Sequence, residues 1–64
     1  MIPITYERRM FYIERYDEQA RYWVQSGYSG RSFPALKSIL KRLKAETGDK
    51  YRIVTEHGSV VYRK

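Results

Sequence analysis

Apolar and polar residues alternate along the stretch FYIERYDEQARYWV, which spans residues 11–24. Phe11 and Ile13 fall on one side of an extended chain, and Tyr12 and Glu14 fall on the other. This period of two is typical of a half-buried strand, and it resumes in RYWVQ after the turn-tolerant residues YDEQA. The pattern therefore predicts a β-hairpin.

The register of this hairpin should keep its aliphatic side chains on one side of the sheet. The predicted pairs are Tyr16 with Arg21, Glu14 with Trp23, and Ile13 with Val24. This register places Arg21 and Trp23 on the opposite side from the aliphatic residues.

A helix is predicted after SGYSGRS, which is interpreted as a polar, glycine-containing loop. Ser32 and Pro34 suit the start of a helix. Serine accepts a hydrogen bond from a free backbone N–H there, and proline has no N–H that would need an acceptor. The spacing of the apolar residues predicts an inner face of Leu36, Ile39, Leu40 and Leu43. The helix should end at Glu46 or Thr47, with Gly48 in the left-handed conformation.

The C-terminal stretch YRIVTEHGSVVYRK predicts a second hairpin, with a two-residue turn at His57 and Gly58. The predicted pairs are Thr55 with Val60 and Ile53 with Tyr62. One face then holds Tyr51, Ile53, Val60 and Tyr62, and the other holds Arg52, Val54, Val61 and Arg63. Pattern alone leaves the strand order open, because either hairpin could contribute a central strand.

The predicted order is ββαββ, an α+β fold in which one helix covers one face of an antiparallel sheet of about four strands. Residues 1–64 are predicted to form a single domain, and residues 1–9 an N-terminal arm, either flexible or paired as an edge strand. The predicted core is Phe11, Ile13, Tyr22, Val24, Leu36, Ile39, Leu40, Leu43, Ile53, Val60 and Tyr62. The other face of the sheet should be open to water or to a partner.

Composition limits what can stabilise so short a chain. No cysteine and one histidine argue against disulfides and ordinary zinc sites, so packing must hold the fold, either alone or aided by a partner or a second copy. No apolar run approaches the roughly 20 residues that a membrane span needs. We expect a soluble, unprocessed, cytoplasmic protein with no membrane partner.

Charge and aromatic content indicate the kind of partner. Thirteen basic and seven acidic residues give a formal net charge of +6, which favours nucleic acid or acidic protein surfaces. The residues expected to bind a partner from the open sheet face are Tyr12, Tyr16, Arg21, Trp23, Arg52 and Arg63. Such residues anchor protein interfaces, and they also stack on bases and meet phosphates. The remaining alternative is that they only stabilise an exposed sheet face.

The helix offers an alternative nucleic-acid-binding surface. Lys37, Lys41 and Lys44 lie at spacings of four and three, so they form one flank that could follow a phosphate backbone. The ordinary alternative is that these lysines solvate an amphipathic helix. The loop GYSGRS lacks the spacing and the lysine of a phosphate-binding P-loop, so a connector is the better interpretation.

Catalytic chemistry has little support in the sequence. His57 stands alone near a predicted turn, and the acidic residues are scattered among cations. A general base needs a reactant and an orienting group within hydrogen-bond reach. We therefore expect a protein that is not an enzyme and that uses no metal and no cofactor.

The stretch FYIERYDEQARYWV, followed by a helix and YRIV, resembles very small proteins encoded by bacteriophages and prophages. The resemblance covers roughly residues 11–54 and is architectural. It implies a non-enzymatic accessory or inhibitory protein that binds a host protein, a protein–nucleic acid complex or a defence complex. It assigns no site residues, and it leaves direct nucleic-acid binding and a homodimer as alternatives.

Overall fold

The computed structural model describes residues 10–63, and the predicted N-terminal arm of residues 1–9 lies outside this range. The elements in chain order are β1 (Phe11–Asp17), β2 (Tyr22–Gly30), α1 (Phe33–Thr47), β3 (Tyr51–Thr55) and β4 (Val60–Arg63). The predicted order ββαββ and the α+β class are confirmed.

The four strands form one sheet in the order β2-β1-β3-β4, and every neighbouring pair is antiparallel. The central pair is β1 with β3, so each hairpin contributes one inner strand and one edge strand. Ile13 lies opposite Ile53 at the middle of this pair, and neither side chain is exposed.

The core lies between α1 and the face of the sheet that carries Ile13. Its buried residues are Ile13, Leu36, Leu40, Tyr51 and Ile53, and the partly buried residues packed on them are Phe11, Phe33, Ile39, Leu43 and Tyr62. Phe33 contacts two other rings, with centroids 5.7 Å from Phe11 and 6.0 Å from Tyr62. Most of the predicted core is confirmed, and Phe33 and Tyr51 are additions to it.

The predicted register of the first hairpin is wrong by two positions, because Tyr16 pairs with Trp23 rather than with Arg21. The cause lies in Asp17, whose carboxylate accepts hydrogen bonds from the backbone N–H groups of Gln19 and Ala20. Arg21 then adopts a φ of 65° and donates its N–H to the Asp17 carbonyl. A shift of two residues leaves each side chain on its predicted face of the sheet. Trp23 therefore stays on the face away from the helix, whereas Arg21 moves into the turn.

Three residues of the predicted core lie outside the observed core, and one of them, Val24, is half-buried on the edge strand β2. Tyr22 is 59 % exposed because it pairs with Asp17 at the very start of the edge strand β2. Val60 pairs with Val54 rather than with Thr55, and a β-bulge in β4 puts it on the face opposite the helix. The predicted pair of Ile53 with Tyr62 is confirmed.

The second turn is longer than predicted, and this explains the bulge. Thr55 donates its N–H to the Ser59 carbonyl, and its carbonyl accepts from the N–H of Gly58. Its hydroxyl oxygen also accepts from the backbone N–H groups of His57 and Ser59. Thr55 therefore closes a longer turn opposite Ser59, so Val54 meets Val60 one position earlier than a two-residue turn predicts, and the bulge restores the predicted pair of Ile53 with Tyr62.

The stretch predicted as a loop before the helix is mostly strand. β2 continues to Gly30, with an irregular register in which the Ser26 hydroxyl donates to the Ile13 carbonyl over 2.7 Å. Gly27 has a φ of 94°, a conformation that glycine adopts without the steric cost of a Cβ. The loop shrinks to the two residues Arg31 and Ser32.

Both predicted ends of the helix are confirmed. The Ser32 hydroxyl accepts a hydrogen bond from the Ala35 N–H, and Pro34 lies in the first turn. At the other end Gly48 has a φ of 77° and donates its N–H to the Lys44 carbonyl over 2.8 Å. These contacts satisfy backbone groups that a helix leaves free at its ends.

We expect the substitution Gly48→Ala to lower the free energy of unfolding by about 1 kcal/mol, because a Cβ is strained at this positive φ. Urea unfolding followed by circular dichroism measures this change. Gly30→Ala is the matched control, since it also adds a methyl group in open space but at an ordinary φ. An equal loss in both variants would contradict the role of the left-handed cap.

Candidate binding surface

The face of the sheet opposite α1, here called the open face, carries side chains from all four strands. They are Tyr12, Glu14, Tyr16, Trp23, Gln25, Arg52, Val54, Val60 and Arg63. One of them, Val54, is only 3 % exposed and lies on a central strand between Tyr12 and Val60. The open face is therefore packed at one end, and its accessible groups lie toward the other.

Trp23 lies at the centre of a fixed cluster on the open face. The rings of Tyr16 and Trp23 meet edge to face, with centroids 5.2 Å apart and an interplanar angle of 64°. The guanidinium carbon of Arg52 lies 4.3 Å from the centroid of the indole ring. Both arrangements are favourable for aromatic rings, so two neighbours hold the indole in one orientation.

Glu14 neutralises the arginine of this cluster. Arg52 donates from Nε to the Glu14 Oε1 over 2.8 Å, and Gln25 donates from Nε2 to the Oε2 over 3.4 Å. The side chains of Arg52 and Glu14 are 25 % and 16 % exposed. Tyr16, Trp23, Arg52, Glu14 and Gln25, here called the Trp23 cluster, thus give the open face an aromatic and electrically neutral centre.

The structure brings most of the predicted partner-binding residues together. The residues that lie on the open face are Tyr12, Tyr16, Trp23, Arg52 and Arg63. Arg21 does not, because it is exposed in the turn between β1 and β2. Arg52 is also not a free cation, since Glu14 pairs with it.

The three lysines of the predicted helix flank lie in different environments. The Nζ of Lys37 lies 5.0 Å from the ring centroid of Tyr62, and Lys37 is half-buried. Lys41 is exposed, whereas Lys44 is half-buried and lines a cleft. The three lysines therefore do not form one uniform track for a phosphate backbone.

The cleft at Lys44 has a volume of about 450 Å³ and lies where β3 begins and β4 ends. Its lining residues are Trp23, Lys44, Lys50, Tyr51 and Arg63. The hydroxyl of Tyr51 lies 2.9 Å from the Thr47 Oγ1, which fixes this ring at the end of the helix. Sequence reasoning missed Lys50, because its position near Trp23 and Arg63 depends on the order of the strands.

Residues that could together hold a metal ion are not clustered in the part of the chain that the structure describes. Residues 10–63 contain no group of three or more histidine, cysteine or acidic side chains that could hold a metal ion. The side chain of His57 is 79 % exposed, and its Nε2 lies 3.6 Å from the Glu56 Oε2. No helix within this range has the length and hydropathy to cross a bilayer.

No family model, curated protein or solved structure matches the chain. The resemblance to phage-encoded proteins therefore stays a prediction. Two features of the molecule bear on its function, the Trp23 cluster on the open face and the cationic cleft beside it.

Proposed function

We propose that this protein is a non-enzymatic binding module that holds a partner protein against its open face. The observation that supports the proposal best is the Trp23 cluster, a half-exposed tryptophan held between Tyr16 and Arg52 on a face that the helix does not cover. Tryptophan, tyrosine and arginine are the residues that most often dominate the binding free energy of protein interfaces.

The fixed geometry of the cluster favours binding. A side chain that is already ordered loses less conformational entropy when a partner covers it. The indole of Trp23 is ordered by Tyr16 on one side and Arg52 on another, and Glu14 in turn orders Arg52. The cost of forming the interface is therefore partly met when the protein folds.

The charge distribution favours a protein as the occupant of this face. Glu14 pairs with Arg52 near its centre, so this part of the face has no net charge and offers no free cation to the phosphates of a nucleic acid. Exposed cations lie at the margin of this face. Arg63 is on the edge strand β4 opposite Arg52, and the Nζ of Lys50 is 6.0 Å from the ring centroid of Tyr16. A neutral centre with a cationic margin complements a partner whose contact surface has an apolar centre and an acidic rim.

The proposal places the protein in the cytoplasm of a bacterial host, acting by occupying a host protein or a defence complex. The resemblance to phage-encoded accessory proteins supports this choice of partner. It also makes a bacterial lysate the first place to search, and inhibition of the captured protein the activity to measure.

Affinity capture from a bacterial lysate, with and without nuclease, tests the proposal. We expect the wild-type protein to retain a host protein after nuclease treatment, and Tyr12→Ala and Tyr16→Ala to weaken this binding by about 1 kcal/mol or more each. Tyr22→Ala is the matched control, because Tyr22 is exposed but lies off the open face. It should retain the partner.

Three outcomes would contradict the proposal. Nuclease could remove every captured protein, the tyrosine variants could retain the partner as well as Tyr22→Ala does, or the open face could bind a second copy. Analytical ultracentrifugation recognises the last case, because the wild type would sediment as a dimer and Tyr16→Ala as a monomer.

A further inference from the structure

Three cations from separate parts of the fold converge on the cleft at the end of the sheet. Lys44 lies in the last turn of α1, Lys50 directly precedes β3, and Arg63 ends β4. None of them forms an ion pair with a carboxylate of residues 10–63. Their convergence depends on the tertiary fold and not on the spacing of lysines along one helix.

The pairing of β3 with β4 leaves one of these cations uncompensated. Arg63 lies directly opposite Arg52, and like charges at opposed positions of a sheet destabilise it. Glu14 neutralises Arg52, but no described carboxylate does the same for Arg63. An anion in the cleft would offset the charge of Arg63 together with that of the two lysines.

The walls of the cleft indicate what kind of anion fits. Its volume of about 450 Å³ falls within the range of about 300–1,000 Å³ that is usual for small-ligand pockets. The indole of Trp23 forms part of the wall, and Tyr16 and Arg52 hold it in place. Ordered aromatic rings beside cations suit single-stranded nucleic acid, whose bases stack while its phosphates meet the cations.

Alternative anions use only part of these features. A carboxylate-rich peptide would meet the cations but would supply no ring to cover the exposed part of the indole. A duplex would meet the cations with its phosphates but would keep its bases paired and out of reach of Trp23. A single strand uses both the cations and the ring.

We propose that the cleft binds a segment of single-stranded nucleic acid, with phosphates at Lys44, Lys50 and Arg63 and a base against Trp23. This proposal does not depend on the proposed protein-binding function, although the two surfaces share Trp23, Lys50 and Arg63. The two surfaces meet at Trp23, which belongs to the open face and also lines the cleft.

Fluorescence anisotropy of a labelled oligothymidylate of about 8 nucleotides measures this binding, a length within the usual site sizes of single-strand-binding domains. Three phosphate contacts at about 0.7 each predict a slope of about −2 for log affinity against log salt, or roughly a twentyfold loss between about 50 and 200 mM. Trp23 is the single tryptophan of the chain, so its intrinsic fluorescence should be quenched on binding. An abasic oligomer should bind about fivefold more weakly or worse and should leave that fluorescence unchanged.

Single substitutions locate the contacts. Lys44→Gln, Lys50→Gln and Arg63→Gln should each lower affinity about fivefold near 0.1 M salt and make the salt slope shallower by about 0.7. The matched controls are Arg31→Gln, at the opposite end of the sheet, and Lys41→Gln, on the helix outside the cleft. Both controls should change affinity by less than about twofold, since a distant exposed charge is screened.

Several results would overturn the proposal. These are no binding of oligothymidylate at about 50 mM salt, equal losses in the cleft variants and the controls, unchanged Trp23 fluorescence, or equally tight binding of a matched duplex. An oligoglutamate peptide that binds as tightly and quenches Trp23 equally would assign the cleft to an acidic protein segment instead.

The variant Tyr12→Ala separates this proposal from the protein-binding one. Tyr12 lies on the open face and does not line the cleft. The variant should therefore keep its affinity for the oligonucleotide while it loses the nuclease-resistant partner. Loss of oligonucleotide binding in this variant would overturn the assignment of the site to the cleft.

Discussion

The substitution Leu40→Ala should lower the free energy of unfolding by about 2–5 kcal/mol, which is a large part of the stability available to so small a domain. Leu40 has no exposed surface and lies in the core with Ile13 and Ile53. Truncation removes buried apolar surface and leaves a cavity that the packed sheet cannot fill. Thermal and urea unfolding followed by circular dichroism measure the loss.

The neighbouring residue provides the control for this experiment. Lys41 follows Leu40 on the helix and is exposed, so Lys41→Ala removes a long side chain without opening the core. We expect it to change the free energy of unfolding by less than about 0.5 kcal/mol. A neutral result for Leu40→Ala would contradict the position of the helix on the sheet.

The second large effect is expected for Trp23→Ala, which should impair both folding and binding. The contact of Trp23 with Tyr16 is worth about 0.5–1.5 kcal/mol and that with Arg52 about 0.5–1 kcal/mol, so the free energy of unfolding should fall by about 1–2.5 kcal/mol. The free energy of binding to the captured protein should fall by about 2 kcal/mol or more.

The expected loss of unfolding free energy in Trp23→Ala is larger than the sequence alone indicates. From the sequence alone, Trp23 is an exposed ring on a sheet face, and such a ring contributes about 0.2–1 kcal/mol through its cross-strand pair. The half-buried cluster raises that figure, so Trp23 contributes to the scaffold as well as to the surface. Binding measured well below the unfolding temperature of Trp23→Ala separates the two effects.

Two variants check this interpretation. Tyr22→Ala removes an exposed aromatic ring next to Trp23 and should leave both stability and binding close to wild type. Trp23→Phe keeps a ring beside Tyr16 and should recover most of the lost stability. If Trp23→Ala is as stable as the wild type, the ring contacts do not hold the cluster together.

The helix could be predicted from the sequence almost to the residue, because its signals are local. Ser32 and Gly48 provide their own hydrogen-bonding and conformational preferences, and the leucines repeat at the spacing of one helical face. Neither feature depends on a distant part of the chain. The strands were also found from their period of two, apart from the extension of β2 to Gly30.

The registers of the hairpins could be predicted only in part. The rule that aliphatic residues share a face permits shifts of two, so it could not distinguish Tyr16 opposite Arg21 from Tyr16 opposite Trp23. The hydrogen bonds that the Asp17 carboxylate accepts within its own turn determine which of these registers forms. In the second hairpin Thr55 made the equivalent choice through its hydroxyl.

The candidate sites illustrate the same limit. The open face follows from alternation, so Tyr12, Tyr16 and Trp23 could be assigned to it from the sequence. The ion pair of Arg52 with Glu14 and the cleft at Lys50 require the order of the strands, which the pattern left open. Contacts between elements distant in the chain carry no local signal.

The position of β1 beside β3 also has a consequence for how the chain folds. Glu14 and Arg52, which pair across these strands, are 38 positions apart. The chain between them must close into a loop before this pair can form. Each hairpin and the helix can form early through contacts between near neighbours, but none of them alone buries Ile13 against Ile53. Closing this long loop comes first at an entropic cost, and the core stabilises the chain only afterwards. We therefore expect the docking of the two hairpins to set the folding rate.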